Sequence, residues 1–181
     1  APMAAEVTFD PATRRASFEQ TSVLMPASPY TCPGKPESAL PSLSSAMFCA
    51  APVHAVYDGS NDWVATAGFG SVPDELAKAT PAETAAALFE SLRGQAYADH
   101  DTTVANRGSE TVQLAGRPAA VQLGDLRYRV PGVPSSYDRL FVAVLPLPTG
   151  GYVAYLSGRP NDAPASTLDA LNESINSLRI G

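Results

Sequence analysis

Over the first 52 residues, apolar positions follow neither a two-residue nor a 3.6-residue period for long. Eight of the seventeen prolines fall in this stretch: Pro2, Pro11, Pro26, Pro29, Pro33, Pro36, Pro41 and Pro52. Proline fixes φ and removes a backbone donor, so the segment is expected to be mostly loop with at most short edge strands. Its best strand is Ala16 to Leu24, anchored by Phe18 and Val23. Beyond Pro52 the pattern becomes regular. Val53 to Tyr57 and Trp63 to Phe69 flank Asp58-Gly59-Ser60-Asn61-Asp62, which predicts a hairpin with a five-residue loop.

A helix is announced by Thr80-Pro81-Ala82-Glu83: Thr80 can cap, Pro81 suits the first helical position, and Glu83 can complete a capping box. Ala85, Leu88, Phe89, Leu92 and Ala96 follow at helical spacing, with Gly94 weakening the end. Thr102 to Ala115 and Arg117 to Arg129 read as strands around the Ala115-Gly116 turn, and Gly124 suggests a bulge. Arg139 to Leu147 and Tyr152 to Ser157 form a further hairpin around Pro148-Thr149-Gly150-Gly151. Leu140, Val142 and Val144 share one face of that strand, with Phe141, Ala143 and Leu145 on the other. A strand apolar on both faces is expected in the middle of a sheet covered on both sides. A closing helix runs from about Pro164 to Leu178, with Leu168, Leu171, Ile175 and Leu178 on one stripe.

This order predicts the α+β class: an antiparallel sheet with helices packed on its faces. The expected organisation is a Pro-rich N-terminal arm with a disulfide loop over residues 1–52, packed on an α/β/α domain over 53–181.

The composition narrows the function classes. A net charge of −6 over 181 residues disfavours nucleic acid and anionic membrane surfaces, both of which need a concentrated basic face. No apolar run approaches the length of a membrane span. The chain opens at Ala1 with neither a charged n-region nor an apolar h-region, which points to a removed signal peptide or a trimmed start.

Candidate chemistry is sparse. His54 alternates within an apolar strand and reads as a satisfied strand residue. Enzymatic action would require His54 or His100, the only histidines, beside a serine and a carboxylate. Gly68-Phe69-Gly70-Ser71 lacks the second half of a nucleophile elbow. Asp99-His100-Asp101 supplies metal-ligand types, but three consecutive side chains diverge along extended chain. Asp58 to Asp62 offers oxygens at alternate positions without the glycine and distal glutamate of a calcium loop, and a turn explains it better. Arg14-Arg15 and the Arg127, Arg129 pair are the densest basic spots; the latter two share a strand face and could hold an anion. Asn172-Glu173-Ser174 matches a glycosylation sequon within the closing helix, and Trp63 reads as a core anchor. No catalytic, cofactor-binding or metal-ligating residue is therefore assigned, and no cofactor is expected.

Cys32 and Cys49 are the only cysteines. A metal site lacks partners, and a redox couple normally uses closer spacing at a helix start. Two buried free thiols would suit a cytosolic protein. An even pair spanning a Pro- and Ser-rich loop after a missing signal segment favours a disulfide between Cys32 and Cys49.

The run Leu114-Ala115-Gly116-Arg117-Pro118-Ala119-Ala120, the Tyr128 strand, the Arg139–Ser157 hairpin and the ending Ser177-Leu178-Arg179-Ile180 together resemble mycobacterial exported proteins of the LpqN type, among them secreted proline-rich antigens. The resemblance covers roughly residues 63–181 and implies a PsbP-like α/β/α sandwich, an exported location, and an unassigned role linked to the cell envelope and host recognition. Lipoprotein members carry a cysteine at their start; Cys32 and Cys49 lie too far inside to serve, which favours a freely secreted form. The expected function is that of a secreted, non-enzymatic, actinobacterial envelope or extracellular protein acting by binding to a host or envelope protein. The alternative is a carrier of a lipid or other small apolar ligand in a cleft between sheet and helix.

Overall fold

A computed structural model describes residues 5–38 and 42–180, so the expectations that touch Pro2 and Pro41 lie outside the described residues. Eleven strands and two helices are present among them: β1 (Thr8–Asp10), β2 (Arg15–Phe18), β3 (Thr21–Leu24), β4 (Glu37–Ser38), β5 (Ser45–His54), β6 (Trp63–Ser71), α1 (Pro81–Ala96), β7 (Thr103–Leu114), β8 (Arg117–Arg127), β9 (Tyr137–Pro146), β10 (Tyr152–Pro160), α2 (Ala165–Asn176) and β11 (Arg179–Ile180). A seven-stranded antiparallel sheet has the order β4-β5-β6-β10-β9-β8-β7, and a four-stranded one the order β1-β2-β3-β11. The class is mixed α+β, as the residue pattern predicts.

The two apolar faces of β9 and β10 decide the layering. Leu140, Val142 and Val144 of β9, with Ala154 and Leu156 of β10, pack in one buried cluster with Leu88 and Phe89 of α1. Ala143 and Leu145, with Val153 and Tyr155, pack in the opposite cluster, which Ala16, Phe18 and Val23 of the small sheet and Ala170 and Leu171 of α2 complete. The central strands are therefore covered on both sides, as expected.

The N-terminal region departs from the expected loop. β5 is ten residues long and lies inside the large sheet, so the boundary drawn between residues 52 and 53 falls within a strand. Small residues and Pro52 conceal it: a register shift between Pro52 and His54 accommodates the proline, which is exposed. The expected single strand Ala16 to Leu24 is two strands, because the chain reverses at Glu19, whose φ is +51°. β11 returns to pair Arg179 with Ser22 and Ile180 with Thr21.

Thr80 caps α1, its hydroxyl accepting from the Glu83 N–H at 3.1 Å. The companion bond comes from elsewhere than expected: the Lys78 N–H donates to the Thr84 hydroxyl at 2.9 Å. The bulge expected at Gly124 lies on the partner strand, in a register shift between Ala105 and Gly108. Gly124 instead leaves room for Phe89 and Val104, whose atoms lie 3.0 Å from where a Cβ would stand. Gly70 on β6 faces Ala46 on β5, and a side chain there would collide with the Ser45 carbonyl and Ala46. That close backbone approach accounts for a glycine near the end of an interior strand.

Cys32 and Cys49 are joined as a disulfide, and Thr31 and Ala50 beside them exchange backbone hydrogen bonds of 2.8 and 3.0 Å. The loop before β5 is thereby tied to an interior strand. Replacing both cysteines with serine is expected to cost about 3 kcal/mol in urea unfolding, on the chain-entropy account of a loop this size. Gly70→Ala is expected to lower stability by about 2 kcal/mol or more, since backbone rather than a flexible side chain must yield; thermal unfolding by circular dichroism reads it.

Candidate functional site

The polar chemistry of the molecule collects at one end of the large sheet, where β5, β8 and β10 finish and β6 and β9 begin. Two hydrogen-bonded groups meet there.

The first is buried. Asp138, at the start of β9, is 2% exposed. Tyr128, just beyond β8, donates to its Oδ1 at 2.6 Å, and Tyr97, capping the end of α1, donates to its Oδ2. The Trp63 indole N–H donates to the Tyr128 hydroxyl at 2.9 Å. Burial raises the Asp138 pKa, opposed by the bonds from Tyr128 and Tyr97. Burial likewise raises both phenols, and the Asp138 charge reinforces it. Among the described residues Asp138 forms no ion pair.

Above this network is a hollow of about 300 Å³ open to solvent, lined in part by Tyr57, Asp62, Trp63, Tyr97, Asp99 and Asp138, with His100 also on the wall. Tyr57 stands edge-on to Trp63 at 5.4 Å between ring centres and 89° between planes. His100 meets Trp63 edge-on at 5.5 Å.

The second group answers the enzymatic condition in part. His54 ends β5, and its Nε2 lies 2.9 Å from the Ser135 hydroxyl and 2.8 Å from Asp162 Oδ2. A serine and a carboxylate thus do stand beside a histidine. Their arrangement differs from a nucleophile relay, in which serine and carboxylate occupy opposite ring nitrogens. Here both meet the same nitrogen, and Ser135 donates its proton to Asp162 Oδ1 at 2.5 Å. Burial pushes the Asp162 pKa up, but the bonds from Ser135 and His54 outweigh it and hold the carboxyl below its ordinary range. The group ties the ends of β5 and β10 to the segment before β9.

The remaining candidates separate. Asp99 and His100 line the hollow, whereas Asp101 lines a neighbouring one of about 290 Å³ with Arg127 and Arg129. Asp58 closes its own turn, accepting from Asn61 Nδ2 at 2.9 Å and from the Asn61 and Ser60 N–H groups at 2.7 and 3.0 Å. Those bonds, led by the Asn61 side chain, lower its pKa to about 2. The turn is self-capped, which is the role expected of it. Arg14 donates to the Met25 carbonyl and Arg15 to the Ser22 hydroxyl. Ser174 of the sequon is buried, accepting from Tyr155 at 2.7 Å and donating to the Leu24 carbonyl at 2.6 Å. Trp63 is buried, as expected of an anchor, and lines the hollow as well. Among the described residues no three His, Cys, Asp or Glu side chains form a metal-binding group, and no helix is long and apolar enough to cross a membrane.

Ser135, Asp162, Asp138 and Tyr97 were not singled out from the residue pattern. Each sits alone in sequence, and only strand ends bring them together. A scan against protein-family models and a search of curated proteins both return no match for this chain.

Tyr30, Tyr97, Tyr128 and Tyr155 all have raised pKa values because they are buried, with Tyr30 pushed up to about 12. A raised folded pKa contributes stability that is complete below the unfolded value, near 10, and is lost as pH rises through the folded one. Stability is therefore expected to fall above about pH 10. Absorbance at 295 nm should show these four phenols ionising together with the loss of near-ultraviolet circular dichroism. Their ionisation in a still-folded protein would contradict their burial.

Proposed function

We propose that the chain is a secreted, non-enzymatic protein of the cell envelope or extracellular space that works by binding, with the hollow above Asp138 as its recognition face. The observation that carries this reading is the combination of rigid floor and open mouth. Three aromatic side chains and a buried carboxylate are fixed by hydrogen bonds beneath a depression open to solvent. Sites of that kind, with a few polar groups placed among aromatic walls, are where small ligands and protruding side chains are held.

Three further features agree with it. The disulfide suits an oxidising compartment. The Ser135 proton is directed at Asp162 rather than His54, which suits a structural bridge better than a nucleophile. The face of β9 on which an apolar cargo would lie is occupied by Leu88 and Phe89, so recognition at the sheet end is favoured over carriage within the core. One helix on each face of a central antiparallel sheet is also compatible with the PsbP-like sandwich of LpqN-type mycobacterial proteins, and we place the chain in that setting, with a host or envelope component as its partner.

Native mass spectrometry of protein recovered from the culture medium of its source tests the reading. The expected result is a mass lower by two hydrogens than the reduced chain, with a non-covalent adduct that Tyr57→Ala removes. Absence from the medium would overturn the location. Covalent labelling of Ser135 by a fluorophosphonate would overturn the non-enzymatic assignment.

A further inference from the structure

We infer that the hollow over Asp138 is a site for a small organic cation, an alkylammonium group held against the half-exposed Tyr57 ring and above the Asp138 carboxylate. This rests on the hollow being the binding face. Two independent observations point to the same ligand chemistry. The wall is aromatic: half-exposed Tyr57 packs edge-on against buried Trp63, 5.4 Å between ring centres, and the pair forms one surface against which a cation can lie. The floor is a buried carboxylate whose two oxygens are each held by a phenol and which no cation neutralises among the described residues. Buried carboxylates are ordinarily paired with a cation; this one has phenol donors in place of an opposite charge and burial raises its pKa, so a cation in the hollow above it would favour its ionised form.

The rest of the lining has the matching sign. Asp62 and Asp99 are exposed at the rim, and the lining contains neither lysine nor arginine. His100 is the one basic group on the wall, edge-on to Trp63 at 5.5 Å. Arg127 and Arg129 line the separate hollow with Asp101. A bare metal ion is a poorer match, because two carboxylate oxygens already engaged by phenols offer it no ligand set, and aromatic walls favour a weakly hydrated cation. The space of about 300 Å³ suits a trimethylammonium-sized head with a short substituent.

Trp63 is the only tryptophan, so its fluorescence reports this site alone. Choline chloride titrated at pH 8 is expected to change Trp63 emission saturably, with a midpoint near about 1 mM, and equilibrium dialysis of labelled choline should give the same midpoint. Asp99→Asn and Tyr57→Ala, both at partly or fully exposed positions, are expected to weaken binding about tenfold while leaving the circular dichroism unchanged; Asp138→Asn should weaken it further. The neutral isostere 3,3-dimethylbutan-1-ol and sodium chloride should leave emission unchanged over the same range. Equal binding of choline and its neutral isostere would overturn the inference, as would dialysis showing no retention of choline at about 50 mM. If choline fails while a different adduct is lost in Tyr57→Ala, the cation class falls and the binding face stands. If both fail, the binding face falls too.

Discussion

A sheet that is apolar on both faces has to be covered twice, and this constraint organises the molecule. β9 and β10 alternate without a polar face: Val142 and Val144 look one way, Ala143 and Leu145 the other, and all four are at most 1% exposed. α1 covers one side with a single long element. The other side has no comparable helix within the same stretch of chain, so it is closed by pieces from both ends: the β1–β3 hairpins, α2 and β11. The disulfide follows from the same need, since it tethers the segment leaving the small sheet to β5 in the large one.

Burying two faces leaves few polar groups between them, Ser174 and the Tyr155 hydroxyl among them, and gathers most of the polar side-chain bonding at one end of the strands. There the same interactions do structural and chemical work. The phenols that hold Asp138 also join α1 to β8 and β9, and the Trp63 indole joins β6 to them through Tyr128. His54, Ser135 and Asp162 draw β5 and β10 to the segment before β9 by a separate set of bonds. Ordering these side chains for stability leaves a hollow whose walls cannot easily rearrange, which is what a selective site requires.

Much of the second half was legible because its signals are local. The Thr80-Pro81 start, the stripe through Leu88 and Phe89, the two-residue Ala115-Gly116 turn and the Pro148–Gly151 loop each declare themselves within a few residues. β5 was hidden because Ala, Ser, Cys and Pro carry little strand preference, and only its neighbours β4 and β6 make it a strand. The reversal at Glu19 was hidden because a non-glycine residue adopts positive φ there. Glycines misled in one place: Gly124 marks the approach of Phe89 rather than a bulge. The site was the least legible part. His54, Trp63, Tyr128, Ser135, Asp138 and Asp162 span more than a hundred residues, and their proximity is a property of strand order that no local spacing encodes.

The pairing of β11 with β3 bears on the order of events in folding. Three strands of the small sheet come from the first 24 residues, and the fourth from residues 179 and 180. The second face of the large sheet is therefore completed only when residues 179 and 180 reach β3, however early the rest forms. A chain emerging from a channel with its N-terminal end first would hold Phe18, Val23 and Met25 ready while their last partners are still inside. The cost of bringing such distant partners together falls at the final step. Closure of this face thus couples two segments more than 150 residues apart, so the seal over Phe18 and Val23 depends on a contact that no local stretch of chain can make.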